Sequence, residues 1–102
     1  MKLYIAVLED APVYMVPTLV AHSVLGAHLV FQEDEAYLAW LELSFKKCVL
    51  KVNFKEFNKL ADLDKIYLGH ENTILNGEKS CCVICPREEY PNVIKFAKLW
   101  KP

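Results

Sequence analysis

Two histidines six residues apart sit in the otherwise apolar stretch TLVAHSVLGAHL, Thr18 to Leu29. An imidazole titrates near neutral pH, so either ring could pass a proton beside a reactive centre. A histidine in such a run also serves as a hydrogen-bonded packing residue. His22 and His28 are one and a half helical turns apart and must face different ways, so at most one can serve a given site. His22 is expected to point towards the end of a sheet, and His28 to be surface or structural. Asp10 closes the first apolar run, at the end of a strand, where α/β domains commonly hold their sites. It would equally suit a turn or cap. Cys82 and Cys85 form a CxxC, but no second CxxC or HxxxH completes a zinc tetrad. With Cys48 and Cys81 they are expected to be free thiols packed in a core, in a reducing compartment. No metal and no cofactor are expected.

Charge narrows the partners. Residues 1–45 hold one base, Lys2, against six acids, whereas residues 46–102 hold eleven bases against seven acids. The net charge is −1, unlike the basic balance of most dedicated nucleic-acid binders. A local basic face from Lys46, Lys47, Lys51, Lys55 and Lys59 could still form, although a solvated surface explains them as well. The run Leu3 to Leu8 is broken by Glu9 and Asp10, too short for a signal peptide, and no continuous apolar run reaches bilayer-spanning length. A cytoplasmic protein with no membrane association is expected.

These residues need a frame. With 102 residues and 54% hydrophobic content, one domain with a single core is expected over residues 1–102. KLYIAVLE reads as a buried strand over 2–9, and DAPVYMVP, with two prolines, as a loop. Pro17 fits the first turn of a helix over 17–31, with Leu19, His22, Val24, Leu25, Leu29 and Val30 near helical spacing and Gly26 and Ala27 small enough to pack closely against a sheet. QEDEAYLAWLELSF predicts a helix over 33–45 with Tyr37, Trp40, Leu41 and Phe45 in one stripe. KKCVLKVN predicts a strand over 47–52. Asn53 would cap a short helix with Phe54, Phe57 and Leu60 on one side. DKIYLG reads as a strand of three or four residues, Asn76-Gly77 as a turn, and SCCVICP as a central strand stopped by Pro86. REEYPNVIKFAKLWKP reads as a closing helix with Val93, Ile94, Phe96, Ala97 and Trp100 inward and Pro91 in its first turn. The order is βααβαββα, an α/β fold with a small mixed four-stranded sheet and helices on both faces.

In that order, three motifs resemble the archaeal and eukaryotic (type 2) peptidyl-tRNA hydrolase family. AHSVLGAHL (Ala21 to Leu29) is similar to the family's first-helix run, near A-Q-x-A-H-A-A-x-x-A-Y. KKCVLKV (Lys46 to Val52) is similar to its second strand, after a helix carrying a residue like Trp40. NGEKSCCVICP (Asn76 to Pro86) resembles its last strand, near P-G-T-x-T-V-L-A-I-G-P, with Gly77, Ser80 and Pro86 on matching positions. The resemblance spans nearly the whole chain.

The resemblance implies a type 2-like fold and hydrolysis of the ester between a peptide and the tRNA 3′ end, using a lysine, an aspartate and a hydroxyl. Water must be positioned for that reaction and the developing oxyanion needs a donor. The family's lysine, from a G-K-G-K loop, falls on Met15. The loop APVYMVP has no base and no glycine, and is about two residues shorter than the family's. The D-A-G-R-T segment corresponds to GHENT, Gly69 to Thr73, so that the aspartate falls on Gly69 or His70 and the arginine on Asn72, with Glu71 displaced. His22 and Ser80 match outright. A thioether neither donates a hydrogen bond nor carries charge, and losing the cation would cost on the order of 10² to 10³ in rate.

Three functions fit these residues. The first is a catalytically degenerate relative whose pocket mouth, lined by Tyr14, Met15, His22, His70, Glu71, Asn72 and Ser80, binds a nucleotide, an RNA (tRNA) end or a host protein; the small size would suit a phage protein. The second is a working hydrolase with a rewired site: His22 or His70 as base, Ser80 orienting water, Lys79 replacing the cation. The third is a homo-oligomeric interaction module using Trp100, Tyr90 and Tyr37. Asp10 lies beside the site in each of the first two.

Overall fold

The computed structural model describes residues 1–71 and 78–102. Asn72, the Asn76-Gly77 turn and the matched Gly77 lie outside the described residues, as do the side chains of His70 and Glu71.

The sheet is built around β1 (Leu3–Leu8), which pairs parallel with β2 (Lys47–Val52) and antiparallel with β4 (Glu78–Ile84). β3 (Ile66–Glu71) pairs antiparallel with β4, and the spatial order is β3-β4-β1-β2-β5. Leu3, Ile5 and Val7 of β1 enter one core cluster, and Ala6 enters the other, backed by Tyr4 and Leu8. A strand apolar on both faces is what a helix-covered sheet demands at its centre. α1 (Val16–Val30) and α2 (Glu35–Ala39) cover the first face, and α3 (Phe54–Ala61) and α4 (Asn92–Lys95) the second. Helices on both faces of a mixed sheet were expected. The sheet has five strands rather than four.

The fifth strand lies where a long closing helix is predicted. α4 makes a single turn, with Pro91 as its cap. The chain then extends as β5 (Lys98–Leu99) along the outer edge of β2, pairing Leu50 with Leu99 and Lys51 with Lys98. The Trp100 amide donates to the Val49 carbonyl at 2.9 Å. An exposed edge strand is costly to leave bare, and this pairing overrides the helical spacing of the segment. Ile94 is buried and Val93 and Ala97 pack against the core, but Phe96, expected inward, is 81% exposed.

The helix predicted over 33–45 is also altered. Asp34 caps α2, accepting from the Tyr37 amide at 2.9 Å and pairing with the Lys65 ammonium at 2.8 Å. That ammonium holds the Asp34 carboxyl below its usual pKa, so the pairing contributes above the ordinary carboxylate range and fades as pH falls through the depressed value. Beyond Ala39 the helix widens into a π turn, Trp40–Ser44, closed by the Phe45 amide donating to the Trp40 carbonyl at 2.7 Å. Phe45 is left-handed, with φ 58°, and exposed. Tyr37 and Trp40 are buried as expected, and the indole Nε1 donates to the Lys46 carbonyl at 2.7 Å. α3 carries the expected cap as a full capping box: Asn53 Oδ1 accepts from the Glu56 amide at 2.8 Å, and Glu56 Oε1 from the Asn53 amide at 2.9 Å.

α1 meets its expected stripe in part: Leu19 is buried, Val24 packs on the core, and the small Gly26 and Ala27 lie against the sheet. Val16, Leu19, Ser23 and Ala27 face the sheet, while His22, Leu25, Leu29 and Val30 are exposed. Small side chains line the approach to β3. A Cβ placed on Gly69 would overlap the Ser23 hydroxyl, and one on Gly26 would overlap the Tyr67 ring. By length and composition alone the Val13–Val30 segment is apolar enough to cross a membrane; the polar interruptions His22, Ser23 and His28 hide this when only continuous apolar runs are counted. Only 28% of that segment is buried in the domain.

Gly69→Ala should cost about 1–3 kcal/mol, because the added methyl meets Ser23 and the Cys81 carbonyl in a packed seam. Combining it with Ser23→Ala should recover most of the loss. Urea unfolding of the two singles and the double checks this; strictly additive losses would contradict the steric account.

Candidate functional site

Because β1 and β2 are parallel, their C-terminal ends share one edge of the sheet, and β4, antiparallel to β1, begins at the same edge. A cavity of about 660 Å³ opens there on the α3 side, lined by Leu8, Asp10, Phe54, Phe57, Asn58, Ala61, Leu68 and Lys79. Asp10 lies in the turn leaving β1. Phe57 is buried, whereas Phe54, in the first turn of α3, is 69% exposed at the rim. The cavity combines one carboxylate, one ammonium, one carboxamide and two phenyl rings.

Lys79 reaches this face through a β-bulge. The β3–β4 register runs Leu68 with Cys82 and Gly69 with Cys81, then His70 with Lys79, which leaves Ser80 as the extra residue. Alternation puts Ser80 on the face of Cys82 and Ile84, and the inserted residue brings its neighbour Lys79 to that face too. Ser80 is 4% exposed, and its hydroxyl has no hydrogen-bond partner among the described residues. A hydroxyl buried without a partner typically costs about 1–3 kcal/mol, so its presence needs an explanation beyond packing.

Asp10 and Lys79 thus come together, and Ser80 adjoins Lys79. The other expected residues go elsewhere. Met15, placed at the pocket mouth by its position in the sequence, is 5% exposed in the α1-side core with Val16, Leu19 and Phe31. Its side chain follows the 3-10 turn Val13–Met15 inward, and that turn leaves Tyr14 exposed. His22 lies on the outer face of α1, in a shallow groove with Pro17, Thr18, Ala21 and Leu25, and does not line the Asp10 cavity. His28 is structural, as expected: its Nδ1 is 2.9 Å from the Tyr37 hydroxyl. Phe54, Phe57 and Asn58 had been visible only as a helix stripe and its neighbour. No local motif marks them as site residues, because the cavity exists only once α3 is laid across the ends of β1 and β4.

The cysteines have no place in this chemistry. Cys82 belongs to the α3-side core and Cys85 to the α1-side core, so the CxxC straddles the sheet and its sulfurs diverge. All four thiols are free. Burial pushes Cys81 up to about 11 and Cys82 and Cys85 up to about 12, the opposite of an activated nucleophile. Among the described residues no group of three or more His, Cys, Asp or Glu side chains could hold a metal ion.

Ser80→Ala should leave the unliganded protein as stable as the parent or stabilise it, since no hydrogen bond to the described residues is lost. A loss beyond about 1 kcal/mol in urea unfolding would show that the hydroxyl has a structural partner. Thiol labelling of the native protein at pH 8 should modify Cys48, the one partly exposed cysteine, and reach the other three only on unfolding.

No protein-family model matches the chain, and no curated protein sequence matches it.

Proposed function

We propose that the chain is a divergent peptidyl-tRNA hydrolase type 2-like domain that keeps a cleft as a binding site without the ester-cleaving machinery, and that this cleft takes a nucleotide or the end of an RNA. The observation that carries the proposal is the Phe54–Asp10–Lys79 cavity. An exposed phenyl ring at its rim offers a stacking platform, which suits any base because every base has a π face. Lys79 can neutralise a phosphate, while Asp10 and Asn58 can accept and donate hydrogen bonds at the sugar or base edge. The volume lies within the range that holds a ligand of nucleotide size. Ser80, although next to Lys79 in the chain, is buried and does not line the cavity, so the ligand contacts rest on Phe54, Asp10, Asn58 and Lys79.

The order of strands and helices supports the family reading, since it contains the expected βααβαββα and adds one short edge strand. The cavity argues against hydrolysis. The position resembling the family's lysine is a methionine in the core, and His22 lies outside the cavity. Lys79 does not engage the Ser80 hydroxyl, which removes the contact a rewired site would need. A carboxylate and one exposed ammonium at the rim bind and orient; they supply neither an activated nucleophile nor a desolvated oxyanion donor.

Calorimetric titration with the four nucleoside monophosphates and with short single-stranded RNA should give dissociation constants on the order of 10–100 μM, as expected of a site with one ion pair and one stacked base. Phe54→Ala should weaken binding by about 5- to 150-fold, the ~1–3 kcal/mol of a stacked base. Lys79→Ala should weaken it less and flatten its salt dependence. Peptide release from peptidyl-tRNA should not exceed the uncatalysed rate. Absence of binding to every one of these ligands, or turnover that Ser80→Ala abolishes, would reject the proposal.

A further inference from the structure

The outer face of α1 carries a second feature, far from the cavity chemistry. Residues 13–30 contain no Asp, Glu, Lys or Arg. Thr18, His22, Leu25 and Leu29 are all exposed on this helix, and their spacing is four, three, four. That is the spacing of a helix–helix seam, in which side chains of one helix fill holes of another. Leu25 is 65% exposed and Leu29 63%. Leu25 stands between two grooves: one lined by Pro17, Thr18, Ala21 and His22, about 400 Å³, and one running between α1 and the π turn to Tyr37, Trp40 and Phe45, about 320 Å³. A ridge flanked by grooves is complementary to its own copy turned by a two-fold axis.

We infer that α1 is the homodimer seam of this protein, two copies packing α1 against α1 antiparallel so that each Leu25 ridge enters the partner's groove. Charge favours this occupant. The helix brings no carboxylate, ammonium or guanidinium of its own to the seam, so closing it buries none of these. Lys47, which lines the second groove, already donates to the Phe45 carbonyl at 2.7 Å and lies 3.2 Å from the Phe45 ring centroid. Antiparallel pairing opposes the two helix dipoles and sets the acids that follow α1, Glu33 and Glu35, near the positive N-terminal end of the partner's helix. A lipid surface suits the face less well: residues 1–45, which include this helix, carry six acids and one base, and an anionic leaflet would repel them. A fifteen-residue helix is about 22 Å long. A face of one such helix and its flanks falls at the small end of specific interfaces, which corresponds to a reversible dimer rather than a permanent one.

Sedimentation equilibrium of the full chain between about 1 μM and 1 mM should show a shift from 11.7 kDa monomer towards dimer, with a dissociation constant on the order of 10–100 μM. Leu25→Glu and Leu29→Glu, both at exposed positions and checked for folding by circular dichroism, should each weaken dimerisation by more than about tenfold, since each places a charge in an apolar seam. Phe96→Glu, equally exposed but on the α3 side, should leave it unchanged. A monomer throughout the range, dimerisation unaffected by both α1 variants, or a monomer that co-sediments with phosphatidylglycerol vesicles through Leu25 would overturn the inference.

Discussion

Strand β1 has both of its edges and both of its faces committed. One edge pairs with β2 and the other with β4, and its side chains feed two separate cores. The parallel pairing with β2 is the demanding part, because the chain must leave β1 at one end of the sheet and return to start β2 at the other. α1 and α2 make that crossing over one face, and α3 returns over the opposite face. The ends of β1 and β2 and the start of β4 are thereby brought to one edge. Asp10, the first turn of α3, Leu68 and Lys79 meet there although nearly seventy residues separate the first from the last. The cavity is a consequence of this strand order.

The second consequence concerns α1. It crosses β3 and β4 closely enough that Gly69 has no room for a methyl group. Only small side chains fit between the helix and the sheet at that level, and Ser23, Gly26 and Ala27 supply them. The bulky residues at that level of the helix then lie outwards, which leaves Leu25 and Leu29 in solvent, while Val16 and Leu19 face the sheet one to two turns earlier. Tight packing on the inside and apolar exposure on the outside thus have one origin. The bulge at Ser80 re-aims one side chain: plain alternation carries Cys81 and Val83 into the α1-side core, and the one inserted residue turns Lys79 towards the cavity.

Much of the fold was legible from local chemistry. β1, α1 and β2 fall within a residue of their expected bounds, because apolar runs, acidic stops and prolines act over a few residues. The Asn53 cap was equally clear, as a capping box needs only residues 53 and 56. The closing helix was not. Its apolar spacing fits a helix, but the unpaired edge of β2 lies some fifty residues upstream and competes for the same segment. The inward face of α1 was legible in part: Leu19, Val24, Gly26 and Ala27 meet the core or the sheet as their size and spacing suggest, whereas Leu25, Leu29 and Val30 face out, because proximity to β3 admits only small side chains there.

What the sequence determines by itself is the alternation of short buried strands with helices, the identity of most core residues, the lack of an activated cysteine, and the absence of any basic residue from the loop after β1. Each depends on side-chain type and near neighbours. The tertiary structure alone decided that Met15 is core, that the CxxC straddles the sheet, that His22 and Ser80 do not share a cavity, and that Asp10 and Lys79 do. Those outcomes depend on strand order and on a one-residue bulge, which reverse the face a side chain meets without changing any local preference.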